Sequence, residues 1–280
     1  MHSSPAMTEP PLESWQDAIE SFLRSRQITF IQRVMVLRET GSTQEAARAA
    51  AQPSGGTLVV ADHQTAGRGR LGRVWIQGTS SDPRASSRTP SRGLGVAATI
   101  ALADAELSPP RLSLAAGLAA HGACAPSLPK AGTLGLRWPN DVVERHGDQR
   151  KIAGVLVENV GRLTLIGVGI NVLHEEEDFP GALSKRAVSL RQLGSLESRL
   201  DVLLRLLGEF QRAMQTPPEI VSAKWSTLDI LVGSRRTMIQ AGRRYEGLVR
   251  SIQPTSHIEI ETKEGVVQLP SLTTALVHDE

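Results

Sequence analysis

The strongest constraint on this chain is the alternation of apolar, strand-like runs with helix-forming segments along most of its length. Helix candidates are "WQDAIESFLRSRQ", the alanine-rich stretch after Ser42, and "PPRLSLAAGLAAHGAC". Between and after them lie the strand candidates "VMVLRE", "TLVVAD", "GLGVAATIAL" and "TLGLRW". Periodicity changes repeatedly between the helical and the extended type, and no segment repeats. This pattern predicts a mixed α and β fold.

The second half of the chain continues the pattern and then changes character. Two β-prone runs, "RKIAGVLVENV" and "RLTLIGVGINV", are separated by Gly161 and are predicted to pair as a hairpin. Leu203, Leu207, Phe210 and Met214 recur at helical spacing, which is typical of a core stripe. From about Leu231 only short β-prone pieces follow, which predicts a small β-barrel of about fifty residues.

These patterns divide the 280 residues into three parts. Residues 1–30 are predicted to form a partly disordered leader with one short helix, residues 31–230 a large α/β domain, and residues 231–280 the small barrel. A polar segment rich in serine, proline and arginine interrupts the large domain after Trp75. We expect its residues from Thr79 to Arg92 to be poorly ordered.

Composition excludes several classes of protein. Hydrophobic residues make up 40% and charged residues 21%, which is ordinary for a globular chain. The formal net charge is only +2, so attraction to polyanions has to come from local clusters. A single cysteine, Cys124, excludes an internal disulfide and fits a reducing cytoplasm. No signal peptide or membrane span is indicated.

The stretch "GRGRLGR", Gly67 to Arg73, holds three arginines and three glycines. Guanidinium groups bind phosphate oxygens in bidentate fashion, and glycines let the backbone close around a ligand. A solvated surface loop explains this stretch equally well on its own. An RNA-binding tract is disfavoured because a strand leads into the loop and no aromatic residues are interleaved with the arginines.

Three more stretches carry candidate chemistry, each with a plain structural alternative. In "RWPNDVV", Asn140 and Asp141 suit a magnesium-bound phosphate, but the same residues form ordinary turns. In "RKIAGVLVE", Lys151 stands at the head of an apolar strand, where lysines are common. In "IGVGINV", two glycines and Asn171 suit a close approach to a ligand, or a β-bulge.

In this order, "GRGRLGRVW", "RWPNDVV", "KIAGVLVE" and "GVGINV" resemble the signature motifs of the biotin protein ligase family. The resemblance runs from about Val34 to the C-terminus. It implies a mixed-sheet α/β catalytic domain followed by an SH3-like barrel. It also implies an activity, in which biotin and ATP form biotinyl-5′-AMP and the biotinyl group then passes to one lysine of a biotin carboxyl carrier protein.

The resemblance also assigns residues. The biotin positions that it implies are Ser42, Thr43, Gln64, Arg68, Gly69, Arg70 and Gly154. The nucleotide positions are Arg70, Arg73, Trp75, Trp138, Asn140, Asp141, Lys151 and Asn171. Lys151, Arg68 and Arg70 are the implied catalytic residues, and Asp141 is the implied ligand of Mg²⁺.

Departures from the family pattern fall mainly on the biotin pocket. Gln44 follows Ser42 and Thr43 where asparagine is usual, Arg137 replaces a lysine, and the next strand enters as "RGLGVAATI". The alternatives are a lipoate or octanoate ligase or transferase on the same core, and a biotin-binding protein without activity. The segment before Val34 is too short for a DNA-binding domain, so no DNA partner is expected, while a homodimer is possible.

Overall fold

The computed structural model describes residues 9–53, 55–76, 93–271 and 273–277. The predicted disorder of residues 79–92 and of the first eight residues lies outside the described residues. The described part contains five α-helices, which are α1 (Trp15–Ser25), α2 (Thr43–Ala50), α3 (Pro109–Cys124), α4 (Arg199–Gln215) and α5 (Pro218–Leu228). No helix in this described part is long and apolar enough to cross a membrane.

A mixed sheet of seven strands forms the larger layer, in the spatial order β1-β2-β3-β7-β6-β5-β4. The strands are β1 (Arg33–Thr40), β2 (Gly56–Gln64), β3 (Gly95–Ala103), β4 (Leu134–Arg137), β5 (Asp141–Glu144), β6 (Lys151–Val160) and β7 (Leu163–Asn171). Only β1 and β2 pair in parallel, and the other neighbours are antiparallel. The predicted hairpin of β6 and β7 is confirmed.

Helices α3 and α4 cover the inner face of this sheet. Alanines line α3 because a helix with small side chains can lie close to the strands and to α4. The predicted stripe on α4 is buried at Leu203, Leu207 and Phe210. Cys124 is also buried, and burial raises the pKa of its thiol to about 12, so it is a structural residue.

The C-terminal segment forms a separate antiparallel sheet of five strands, in the order β11-β10-β9-β8-β12. Its strands are β8 (Arg235–Gln240), β9 (Arg243–Gln253), β10 (His257–Thr262), β11 (Gly265–Pro270) and β12 (Thr274–Leu276). The predicted β-rich C-terminal unit is therefore confirmed as a sheet. Among the described strands, β11 and β12 lie at opposite edges and do not pair with each other, so the sheet is open rather than closed into a barrel.

A buried ion cluster ties the N-terminal segment to the strand that leads into the Arg/Gly loop. Arg199 is 2% exposed and pairs with Glu9 at 3.0 Å and with Asp62 at 2.7 Å. Asp62 also accepts a hydrogen bond from the backbone N–H of Gly93, where the chain returns from the loop. The cluster therefore fixes both ends of the long excursion between β2 and β3.

His174 lies beside this cluster and creates a pH dependence of stability. Burial, together with the charge of Arg199, lowers the pKa of His174 to about 4, and among the described residues neither ring nitrogen has a partner. In the unfolded chain this imidazole titrates near its ordinary pKa of about 6.5. The unfolded state therefore binds more protons between these values, and stability falls as pH drops from about 6.5 towards 4.

We expect a His174→Gln variant to lose part of this dependence. Its free energy of unfolding, measured by urea denaturation at several pH values, should fall less steeply with decreasing pH than that of the parent. The difference in slope corresponds to at most one proton bound on unfolding. His146→Gln is the control, because His146 is exposed. Parallel pH profiles for the parent and His174→Gln would contradict the assignment.

Candidate active site

A cavity of about 740 Å³ lies on the face of the large sheet that α3 and α4 leave uncovered. It is lined by the start of α2, by the Arg/Gly loop, by strands β5 to β7 and by one edge of the C-terminal sheet. The four stretches singled out in the sequence therefore meet at one site. This convergence favours the ligand-binding interpretation of each stretch over the structural one.

The floor of the cavity is a row of small residues created by strand register. Gly169 pairs with Gly154 across β6 and β7, and Gly154 pairs with Asp141 across β5 and β6. A Cβ at Gly169 would lie 2.5 Å from the ring of Trp75, and one at Gly154 would lie 2.7 Å from Lys151 Nζ. Gly169 is therefore required by the close approach of the Trp75 ring, whereas a side chain at Gly154 would meet the flexible end of Lys151, which can move aside.

One end of the cavity is a buried polar network. Thr43 donates to Gln64 Oε1 through its backbone N–H at 2.8 Å and through its hydroxyl at 3.0 Å. Thr99 in turn donates to the Thr43 hydroxyl at 2.9 Å. Ser42 caps α2 by accepting from the N–H of Gln44. Hydroxyl and amide groups are thus held rigidly in an otherwise apolar wall.

Gln44 belongs to the same wall. Its Nε2 donates to the carbonyl of Leu156 at 3.1 Å, and a Cβ at Gly167 would lie 2.8 Å from that nitrogen. Among the described residues, the Oε1 of Gln44 has no hydrogen-bond partner. The longer glutamine thus reaches across to β6, which a shorter asparagine at this position would not do.

The Arg/Gly loop is folded as a tight turn over the cavity. Gly69 donates to the carbonyl of Arg73 at 2.7 Å, and Trp75 donates to that of Gly67 at 2.9 Å. Arg68 pairs with Glu45 at 3.2 Å, but both side chains are about half exposed, so the pair holds the loop weakly. An anionic group of a ligand can therefore replace Glu45 as the partner of Arg68.

Arg70 and Arg73 supply positive charge at the loop. Burial lowers the pKa of the Arg70 guanidinium; the charge of Asp141 opposes that shift and the charge of Arg73 adds to it. The guanidinium nevertheless stays charged, because an arginine pKa lies far above neutrality. Arg73 is exposed at the rim. Both residues line the cavity.

Trp75 and Lys151 meet at the centre of the floor. The ring of Trp75 lies against Gly154 and Gly169, and Lys151 Nζ lies 5.4 Å from its centroid. Lys151 also pairs with Asp141 at 2.6 Å, and it keeps 30% of its side chain exposed. The ammonium group is therefore oriented by two neighbours and remains accessible from the cavity.

Asp141 is held between two cations. Its Oδ1 pairs with Lys151 and its Oδ2 with Arg137 at 3.1 Å. Burial alone would raise the pKa of Asp141, but the charges and hydrogen bonds of Lys151 and Arg137 hold it below its usual value. Both oxygens of Asp141 face cations, and its role as a metal ligand stays a prediction. Among the described residues, no group of three or more metal-ligating side chains is found.

Of the remaining predicted residues, Asn140 and Asn171 line the cavity and Trp138 does not. Asn140 lines the cavity and donates to the carbonyl of Val155. Asn171 also lines it, but its amide bonds the carbonyls of Lys151 and Val188 and so holds three segments together. Trp138 is 1% exposed and packs in the core, so the structure does not bring it to the cavity wall.

Several lining residues had no signal in the sequence. They come from the turn between β5 and β6, from the segment after β7 and from the C-terminal sheet, and they are Asp148, Gln149, Phe179, Leu183, Arg186, Arg236 and residues 274–277. Among the described residues that line the cavity, seven side chains are basic and two are acidic, a formal excess of five positive charges. Such a surface suits a ligand with several negative charges.

Comparisons with known proteins agree with this site. A sequence model of the Biotin/lipoate A/B protein ligase family matches residues 34–81. A relative in Mycobacterium tuberculosis, a biotin–[acetyl-CoA-carboxylase] ligase, is 34% identical over 229 residues, which cover 78% of this chain and 79% of the relative. The bifunctional ligase/repressor BirA of Bacillus subtilis is 29% identical, and the match covers 77% of this chain and 65% of that protein.

Solved structures give the same result for the fold. The biotin protein ligase from Aquifex aeolicus in complex with biotin and ATP is 26% identical, with a TM-score of 0.72. The match covers 89% of this chain and 100% of that chain. The identity and coverage of the Mycobacterium relative, together with this likeness of fold, establish that the chain belongs to the biotin protein ligase family.

Proposed function

We propose that this protein joins biotin to ATP to form biotinyl-5′-AMP with release of pyrophosphate, and then transfers the biotinyl group to a lysine of a biotin carboxyl carrier protein. The observation that carries the proposal is the meeting of Lys151, Trp75 and the Arg/Gly loop over one glycine floor. An organic carboxylate and a nucleotide triphosphate together need such a combination of an apolar floor and concentrated positive charge.

Biotin binds at the polar end of the cavity in this proposal. Its ureido ring carries both hydrogen-bond donors and an acceptor, which Ser42, Thr43 and Gln64 match inside an apolar wall. Gly69 and Gly154 let the loop and the floor approach the ligand closely. Arg68 exchanges Glu45 for the negative charge of the ligand when the loop closes.

The nucleotide binds at the opposite, positively charged end. Trp75 offers its ring to adenine, while Arg70 and Arg73 face the phosphates, and Asn140 and Asn171 shape the wall beside them. Since Trp138 is buried, it has no direct part in this arrangement. Its role is to support the neighbouring residues of the cavity from the core.

Bond formation takes place next to Lys151. An oxygen of the biotin carboxylate attacks the α-phosphorus, the bond from this phosphorus to the bridging oxygen breaks, and pyrophosphate leaves with the electron pair. Lys151 neutralises the charge that collects where carboxylate and α-phosphate meet, and Asp141 holds its ammonium in place. In the second step a neutral lysine amine of the carrier attacks the mixed anhydride and AMP leaves.

Mg²⁺ is the remaining component of the proposed reaction. Mg²⁺ keeps several waters and binds phosphate oxygens readily, so it can enter with ATP without a cage of protein carboxylates. Asp141 as a ligand of Mg²⁺ stays a prediction, since its two oxygens face Lys151 and Arg137. A homodimer, the lack of a DNA partner and a cytoplasmic location stay predictions.

The reaction itself is tested by biotin-dependent exchange between ATP and labelled pyrophosphate. Exchange with biotin and none with lipoate or octanoate is the expected result. Exchange with lipoate or octanoate instead of biotin would favour the ligase alternative on the same core. Biotin binding without exchange would identify a protein that binds biotin but does not activate it.

Lys151→Ala should slow adenylate formation by about 10²-fold or more, the effect of removing a preorganised charge stabiliser. Binding of biotin and ATP should weaken far less than the rate. Lys185→Ala is the matched control, because Lys185 is exposed and does not line the cavity. Pyrophosphate exchange measures the effect. Exchange at the parent rate would show that Lys151 has no catalytic role and only marks the start of a strand.

Arg68→Ala should mainly weaken retention of the adenylate, because its loop contact holds the closed state rather than the bond being made. Free biotinyl-AMP, measured by chromatography in the absence of carrier, should accumulate in solution. Glu45→Gln removes the other half of the pair and should leave retention intact or improve it. Equal release from the parent and Arg68→Ala would refute the role of the loop.

Gly169→Ala should displace the Trp75 ring, since the new methyl carbon would lie 2.5 Å from a ring atom. We expect a raised KM for ATP and a changed tryptophan emission spectrum, with a much smaller change in the KM for biotin. Gly208→Ala is the control, because its methyl would make an ordinary contact with Phe22 at 3.5 Å. An unchanged KM for ATP would remove Trp75 from the nucleotide site.

A further inference from the structure

Arg236, on β8 of the C-terminal sheet, reaches the cavity from outside the large sheet. It lies on the wall together with residues 274–277 at the end of β12. The neighbouring Arg235 is exposed and does not line the cavity, because successive side chains of a strand point to opposite faces. The C-terminal sheet thus presents one arginine of this pair to the ligand space.

A continuous chain of polar contacts connects Arg236 to Lys151. Arg236 donates to the side-chain oxygen of Gln149 at 2.9 Å, and Arg137 donates to the backbone carbonyl of Gln149 at 3.2 Å. Arg137 then pairs with Asp141, which pairs with Lys151. These contacts fix the separation between the site of bond formation and the guanidinium of the second sheet.

The charges along this chain do not balance. Three cations, Lys151, Arg137 and Arg236, lie along it with one carboxylate, that of Asp141, which pairs with the first two. Within the described residues, Arg236 has no carboxylate partner, and its buried Nε has no hydrogen-bond partner. A partly buried guanidinium without a counter-charge is costly, and a bound anion removes this cost.

We propose that Arg236 binds the β- and γ-phosphates of ATP and stabilises pyrophosphate as it leaves. This inference rests on the proposed function and names the part of the substrate that the C-terminal sheet recognises. When the bond to the α-phosphorus breaks, the bridging oxygen leaves with the electron pair and negative charge grows on the β-phosphate. A guanidinium is a bidentate donor to phosphate, and Gln149 orients this one for that contact.

Charge and orientation can be separated by substitution. Arg236→Ala removes both the charge and the contact with Gln149, whereas Arg236→Gln keeps a donor but removes the charge. Gln149→Ala leaves the charge and removes the support. Arg235→Ala, one residue away on the same strand, changes the net charge equally without altering the cavity wall.

Calorimetric titration with inorganic pyrophosphate alone, and with AMP alone, provides a readout that does not depend on turnover. We expect Arg236→Ala and Arg236→Gln to weaken pyrophosphate binding by about 10-fold or more, the effect of losing a charge-assisted hydrogen bond. Gln149→Ala should weaken it less. AMP binding should stay unchanged in all variants, because AMP lacks the β- and γ-phosphates, and Arg235→Ala should match the parent with both ligands.

Kinetics then connects this site to the reaction. Arg236→Ala should raise the KM for ATP and weaken inhibition by pyrophosphate, with the KM for biotin unchanged. Unaltered pyrophosphate binding, or an equal loss of AMP and pyrophosphate binding, would overturn the inference. If the parent binds pyrophosphate through Arg236 but does not activate biotin, the proposed function fails and the assignment of Arg236 stands.

Discussion

The register of β6 against β7 is the constraint on which the rest of the site depends. It pairs Gly154 with Gly169 and, through β5, places Asp141 in the same row. Without side chains at the two glycines, the Trp75 ring can lie on the sheet and Lys151 can extend over it. A shift by one residue would turn this row to the opposite face and fill the floor with valine and isoleucine.

The arrangement of charged side chains in the cavity depends on this glycine floor. Asp141 orients Lys151 and Arg137, yet the cavity stays strongly positive. Proteins rarely keep such an excess in a partly enclosed site without an anionic ligand, because like charges repel and burial adds to the cost. The cavity is thus preorganised for a triphosphate and a carboxylate.

The Arg/Gly loop and the buried cluster around Arg199 have complementary mechanical roles. The cluster is almost wholly buried and fixes the ends of the excursion at Asp62 and Gly93. The loop itself is held over the cavity by a few backbone bonds and by one half-exposed ion pair, Arg68–Glu45. Firm ends and a weakly held middle allow the loop to reorder around a ligand without disturbing the sheet.

Much of this could be predicted from the sequence. Hydrophobic periodicity located α1 to α4 and most strands, because burial of one face imposes the period of the element. It missed β5, which the Pro-Asn-Asp turn conceals, and also α5 and β12. The four motifs carried enough specific residue types to indicate the family, since glycine at a close approach and arginine beside phosphate have few substitutes.

Only the tertiary structure decided which side chains share the site. Trp138, adjacent in sequence to Arg137, turns into the core, whereas Arg236 arrives from a different sheet about 85 residues after Lys151. The two oxygens of Asp141 are taken by cations that local spacing does not predict. Residue types set what chemistry the chain can perform, while strand pairing and the docking of the second sheet set which atoms meet, because those contacts join distant segments that carry no local pattern.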